Sequence, residues 1–448
     1  MHNSEVMHSS VVFGWDPTWV AVSILLLVYG VIMAEKFNRA VLSLLGAGLM
    51  ILCGVLNQQQ AVAGIDFNTI GLLTGMMVIV AISQKTGMFQ YVAIKAAKLV
   101  KGEPLGILVM LSIVTGVFSA FLDNVTTVLL IAPVSLLITE ALGVRPYPYL
   151  FALIFSSNIG GTATLIGDPP NIMIGSAAHL SFTDFLIHLT PIIPVIFVVV
   201  MAFLWLIFGR DLHTSDENKQ LIMRFDEDAA IKDVLLLKKS LSVLFLVLVG
   251  FTTAHSLHLE PATIAMFGAA LLLLLQTLGE PVEDKDHAYE GIMAEVEWTT
   301  IFFFVGLFII VTGVEHTGVI EWLAGKTLAL TGGDLSATLA AILWVSAIAS
   351  ALIDNIPFVA TMIPLIHSMA PTFGGAEAIQ PLWWALALGA CLGGNGSLIG
   401  ASANLIVAGF AQRAGEPIAF LTFMKHAFFL MILTIVISHI YLYLRYLN

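Results

Sequence analysis

Apolar residues are gathered in long blocks along this chain. Runs at 19–34, 40–56, 190–208, 241–257, 261–278 and 424–444 carry at most one charged side chain each. A hydrocarbon core of roughly 30 Å takes about 20 apolar residues of helix, and on that criterion the pattern predicts roughly ten to twelve helical segments. Composition agrees. Of 448 residues 58% are hydrophobic and 11% charged, with a mean hydropathy of +0.97, far from the composition of soluble domains. The pattern predicts an all-α polytopic membrane protein. The first 18 residues are polar and are expected outside, with no cleaved signal peptide, because the apolar run after them lacks a basic n-region and a small-residue cleavage site. The two cysteines, Cys53 and Cys391, fall in apolar segments and predict neither a disulfide framework nor a zinc site.

Charge placement orients the chain. With the N-terminus outside, 16 of the 18 basic residues face one side, and only Lys326 and Arg445 face the other. An excess of Lys and Arg marks the cytoplasmic face. Segments 105–121 and 125–141 begin and end on the same side whether they cross fully or dip to mid-depth, so charge alone does not place Asp123. The net charge of −12 offers nothing to a nucleic acid.

Sliding the chain on itself reveals a repeat. At an offset of 231, without a gap from Asp66 to Ile138, Thr69 falls on Thr300, Gly75 on Gly306, Gly87 on Gly318, Asp123-Asn124 on Asp354-Asn355 and Pro133 on Pro364. With a shift of two, GGTATLIGDPPN (160–171) falls on GGNGSLIGASAN (393–404). Lys95 is placed inside and its counterpart Lys326 outside, so the copies are inverted. Inverted-topology repeats are the architecture of secondary transporters. The expected organisation is an external N-terminus (1–18), a first repeat (19–208), a solvated cytoplasmic linker (209–239) and a second repeat (240–448). No GxxxxGK[ST] loop is present, so the sequence gives no reason to expect ATP-driven transport by this chain alone.

Polar chemistry inside the apolar blocks is sparse and repeated. An ionised carboxylate in lipid costs several kcal/mol, so Asp123 and Asp354 should face water or carry a proton, although each also suits the cap of the helix that follows. The Gly-Gly and Pro-Pro interruptions forbid continuous helices at 157–171 and 391–404, and non-helical backbone at membrane depth is tolerated only where it lines a cavity or is buried in protein. Candidate substrate ligands are Asn124, Thr126, Thr127, Asn158, Thr162, Thr164, Asn355, Asn395, Ser397 and Asn404. Candidate proton or cation carriers are Asp123, Asp354 and Asp168. For Asp168, whose counterpart is Ala401, a cation ligand and a helix cap are both open readings. With all 18 basic residues assigned to the interfaces, none is expected at the bundle centre. That disfavours a dianionic substrate unless metal ions accompany it.

These hairpins and the two glycine-rich segments resemble the ArsB/NhaD branch of the ion transporter superfamily, over about residues 20 to 445. The branch includes arsenite efflux pumps, sodium/proton antiporters and the melanosomal P protein. The resemblance implies a scaffold part and a transport part, with re-entrant hairpins at 105–141 and 335–370 whose tips, Asp123-Asn124 and Asp354-Asn355, face two broken helices near the midplane. Related dicarboxylate carriers place Ser-Asn-Thr at both tips. Here the tips read Asp-Asn-Val-Thr-Thr and Asp-Asn-Ile-Pro-Phe, which moves the expectation from carboxylates to arsenite or antimonite exchanged for protons, with sodium/proton antiport as the alternative. The resemblance further implies no enzymatic activity and no cofactor or resident metal, a bacterial inner-membrane location, and an optional cytoplasmic ATPase subunit.

Overall fold

The computed structural model describes residues 11, 14–34, 36–278 and 282–447; most of the expected N-terminal segment lies outside these. Every regular element among them is helical. The first copy comprises α1 (Pro17–Met33), α2 (Arg39–Leu52), a short α3 (Gln58–Ala63), α4 (Phe67–Lys85), α5 (Met88–Leu99), α6 (Pro104–Phe121), α7 (Asn124–Leu142), α8 (Tyr147–Thr162), α9 (Pro169–Ala177), α10 (Phe182–His188) and α11 (Ile193–Phe208). The connection carries α12 (Asp216–Met223). The second copy comprises α13 (Val234–Leu257), α14 (Pro261–Thr277), α15 (Val282–Met293), α16 (Trp298–His316), α17 (Val319–Leu330), α18 (Leu335–Leu352), α19 (Asn355–Phe373), α20 (Gln380–Gly393), α21 (Ser402–Arg413) and α22 (Phe420–Tyr446).

Local chemistry sets many of these boundaries. Asp16, Asn38, Asp66 and Asp334 each turn a side-chain oxygen onto the first free amides of α1, α2, α4 and α18, which satisfies donors that a helix start leaves unpaired. Gly87 and Gly318, related by the repeat, both take left-handed backbone, φ 81° and 77°, and turn the chain from α4 into α5 and from α16 into α17. A side chain there would be strained in either copy.

Two groups of helices result. The scaffold is made where the copies interlock: α2 packs on α16, and α14 packs on α4, with α1 and α13 outside them. Glycine permits both contacts. A Cβ on Gly75 would lie 2.6 Å from the Ala265 backbone, and one on Gly306 2.5 Å from the Ser43 backbone. The transport group holds the two hairpins, α6–α7 and α18–α19, each packed on its broken helix, α8 and α20. Residues 148–162 and 381–393 are buried all round, as expected of helices that face protein on every side.

Nine helices among the described residues are long and apolar enough to cross a membrane, and four of them are the hairpin arms. Length alone would make these arms crossings. The hairpins enter from opposite ends of the molecule, yet their tips line one cleft, so each stops partway.

The connection is less solvated than its composition implies. Ile222 is fully buried and Leu212 nearly so. Asn218 donates to the Leu142 carbonyl at 2.9 Å, the Lys232 amide to the Thr86 carbonyl at 2.9 Å, and Lys98 bonds the Phe225 carbonyl and pairs with Glu227. The Lys98 ammonium holds the Glu227 carboxyl below the usual carboxylate range. This segment is stapled beneath the first hairpin, and α13 already begins at Val234, inside the expected linker.

Candidate functional site

Each hairpin tip is an interruption in which a helix ends and an Asp begins the next. Asp123 accepts from the Thr126 amide at 2.7 Å and from the Thr126 hydroxyl at 2.5 Å. Asp354 accepts from the Ile356 amide at 3.1 Å and the Ser402 hydroxyl at 3.2 Å. Both tips are thus true caps. Asp168 holds the same position before α9 but makes no cap bond. It is 1% exposed, and neither carboxylate oxygen accepts a hydrogen bond. Of its two open readings, the cap is not made. The Cys391 thiol and the Asn355 amide lie alongside it.

The tips and the start of α9 close on a cleft of about 20 Å³, walled by Arg39, Asp123, Asn124, Asp168, Glu297, Thr300, Asn355 and Ser402 with apolar neighbours. Such a space holds one water or one bare ion. Toward the Lys- and Arg-rich end it adjoins a cavity of about 400 Å³ that shares Arg39, Glu297 and Ser402 with it and adds Asp354 and Tyr29. At the other end a cavity of about 490 Å³, bordered by Asp66, Glu315 and His367, shares no wall with the cleft. The site is therefore open in one direction.

Beneath the cleft an amide relay joins the copies. The Asn404 amide nitrogen donates to the Gly394 and Ser397 carbonyls, both at 2.8 Å. Its oxygen must then accept, and does so from Asn158 at 2.9 Å, while Asn158 also donates to the Asn395 oxygen at 3.0 Å. The Asn158 oxygen in turn accepts from Asn124 at 3.1 Å. Two backbone carbonyls so fix every amide along the line, leaving the Asn124 oxygen and the Asn395 nitrogen unpaired. Asn355 likewise keeps a free amide nitrogen at the cleft.

Several expected ligands have structural work instead. Thr162 donates to the Asn158 carbonyl, Thr164 to that of Ala120 and Ser397 to that of Ala351. Asn171 donates to the carbonyls of Gly161, Thr162 and Thr164, as Asn404 does in the second copy. The Thr127 hydroxyl is buried and unpaired, but does not border the cleft.

One sequence expectation is corrected. A guanidinium does reach the centre: Arg39 lies 3.3 Å from Asp354, 2.6 Å from Ser402 and 3.0 Å from Thr300. It sits at the first position of α2, and its long side chain extends from the basic end into the cavity. Arg39 and Glu297 were legible only faintly. A cation at a helix N-terminus opposes the helix dipole and signals a specific partner, and Glu297 is the repeat counterpart of Asp66.

Comparison with known proteins fits this architecture. The profile of the citrate transporter family, CitMHS, matches residues 29–389. An uncharacterized transporter of Mycobacterium tuberculosis is 42% identical over 431 residues, covering 95% of this chain and 98% of its own. The 46 kDa membrane protein of Mycobacterium leprae is 42% identical over 432 residues, 96% of this chain and 99% of that one. The human P protein is 34% identical over 504 residues, 94% of this chain and 59% of its own length. Among solved structures, the YdaH transporter of Alcanivorax borkumensis, described as having an unusual topology, superposes with a TM-score of 0.58 at 14% identity, over 96% of this chain and 98% of that one. With its inverted hairpins, broken helices and buried polar cleft, the chain is a multi-pass secondary transporter and belongs to the citrate transporter family of the ion transporter superfamily.

Proposed function

We propose that this transporter exports a small, neutral, hydroxylated solute of the arsenous acid type, arsenite or antimonite, in exchange for protons, across the bacterial inner membrane with its N-terminus outside. The observation that carries the reading is Asp168: a carboxylate buried at membrane depth with no cap bond and only the Cys391 thiol and the Asn355 amide close beside it is stabilised by a proton or a cation. Around it the free groups have mixed polarity, the Asn124 oxygen as acceptor and the Asn355 nitrogen as donor. Such a set suits hydroxyl groups, which donate and accept. Asp123 and Asp354 remain the accessory proton carriers. The scheme is driven by the proton gradient and needs no ATPase subunit.

The family's name points to citrate. A tricarboxylate would meet Asp123, Asp168, Asp354 and Glu297 against one guanidinium. Citrate would therefore need cations bound with it. Sodium/proton antiport is the second reading, favoured by the two bare oxygens of Asp168 next to the free oxygen of Asn124.

Everted vesicles with an imposed proton gradient test these readings side by side. Arsenite accumulation abolished by a protonophore is the expected result. Collapse of the gradient on adding sodium, without arsenite uptake, would establish the second reading and overturn the first. Uptake of citrate only with a divalent cation would overturn both.

A further inference from the structure

Among the described residues, the ion pair that joins the scaffold to the transport group is Arg39–Asp354. Arg39 is anchored on the scaffold: it belongs to α2, donates to Thr300 of α16 at 3.0 Å, and lies 5.2 Å from the Phe303 ring centroid on the same helix. Its other bonds go to the transport group, to Asp354 at the second hairpin tip and to Ser402 at the start of α21. One side chain thus spans the boundary along which the two groups must slide.

The repeat shows that this contact exists once. Gly46 in α2 faces Ile310 as Gly268 in α14 faces Ile79, so the counterpart of Arg39 is Pro261, and that of Ser402 is Pro169. Asp123, the counterpart of Asp354, is bonded only within its own tip, by Thr126. The cavity beside Arg39 is bordered by Met33 and Phe37 of the α1–α2 turn, which carries Lys36 and so lies at the basic end. A tie present at one tip holds one of the two arrangements of an inverted-repeat carrier, not both.

We propose that Arg39 couples proton loading to movement: its guanidinium holds the carrier open toward the basic end while Asp354 is ionised, and lets go when Asp354 takes a proton. This rests on the proton-coupled reading above. Two opposite unit charges in contact attract far more strongly at a partly buried site than in water, so a proton arriving on the Asp354 carboxylate removes that Coulombic attraction while Arg39 stays on Thr300. An empty, ionised carrier is then denied the crossing, which prevents slippage of the gradient. Glu297, Asp168 and Asp123 also face this cleft, and Tyr29 borders the cavity from α1. Asp354→Asn tests its charge apart from theirs.

Leu405 lines the cavity and is 37% exposed. Leu405→Cys, in a Cys53→Ser background, is labelled in everted vesicles with a membrane-impermeant maleimide, with rates normalised to a cysteine on the static surface. The expected parent rate is high at alkaline pH and several-fold lower in acid. Arg39→Gln should slow labelling several-fold at alkaline pH and abolish the pH dependence, Arg39→Lys should restore part of both, and Asp354→Asn should match Arg39→Gln without adding to it. Proteoliposomes holding no solute should lose an imposed pH gradient several-fold faster with Arg39→Gln. Parent-like labelling in Arg39→Gln or Asp354→Asn would overturn the proposal; if Arg39→Gln does not insert, Asp354→Asn and Thr300→Val carry the same test. A parent rate indifferent to pH would also overturn the proposal, whereas the proton-coupled reading fails separately, if solute uptake in the same vesicles survives a protonophore.

Discussion

A buried carboxylate without a donor is costly to any fold, and among the described residues Asp168 is the acid in which both oxygens are left in that state. Its neighbours in the repeat make the cost visible: the counterpart is Ala401, which fills the same backbone position without polar atoms. Asp168→Asn preserves the shape and removes the titratable group, so uptake against a gradient should fall to background. The thermal unfolding midpoint in detergent should stay level or rise, since a buried acid without its partners is itself a cost to the fold. Gradient-driven accumulation at the parent rate would show that the proton is carried elsewhere. At this scale the sequence exposed the two tip acids by repetition, and Asp168 by its asymmetry. It did not expose which acids are capped and which is bare, because capping depends on where a side chain turns.

The broken helices were legible as elements, although α8 continues through Gly160-Gly161 and its break falls at 163–168, just before Pro169-Pro170. What the sequence left open was how their freed carbonyls are satisfied. Asn404 looks like a ligand on paper, yet it folds back on its own interruption onto two carbonyls, as its repeat counterpart Asn171 does onto three. Each buried bond left unmade costs about 1–3 kcal/mol. Asn404→Ala, which also removes the acceptor for Asn158, should therefore destabilise the protein by roughly 3 kcal/mol or more, read as a clear drop in unfolding temperature. Thr162→Val, which loses one bond within a helix turn, should cost about 1 kcal/mol. Equal stability of the two variants would show that the relay is not structural. The connection at 209–239 illustrates the opposite error: its charges predict solvation, but buried Ile222 and Leu212 and the Lys98–Glu227 pair bind it to the first copy.

Across the whole molecule the copies are interlocked rather than set side by side. Because α2 of the first copy lies on α16 of the second, and α14 of the second on α4 of the first, each half completes the other's scaffold. Gly75 and Gly306 sit at the two equivalent crossings, where a Cβ would fall 2.6 Å and 2.5 Å from the facing backbone. Gly75→Leu and Gly306→Leu should thus reduce folded, membrane-inserted protein to a similar degree, measured as monodisperse yield after extraction. Normal yield from either variant would contradict the interlock. Overpacking of this kind costs about 1–3 kcal/mol even where side chains can give way, and backbone cannot.

The membrane class, the duplication, its inverted sense and the positions of both tips and both breaks can be read off the chain before any folding is considered. All of these follow from hydropathy, charge asymmetry and residues that cannot continue a helix, which are local properties readable along one dimension. That the tips share one cleft, that Asn404 and Asn171 serve the backbone, that Asp168 makes no cap bond and that Arg39 reaches the centre from the basic end emerges in three dimensions. Those depend on distances between segments far apart in the chain. A long side chain at an interface can extend to the midplane or to water, and nothing in its own neighbourhood says which.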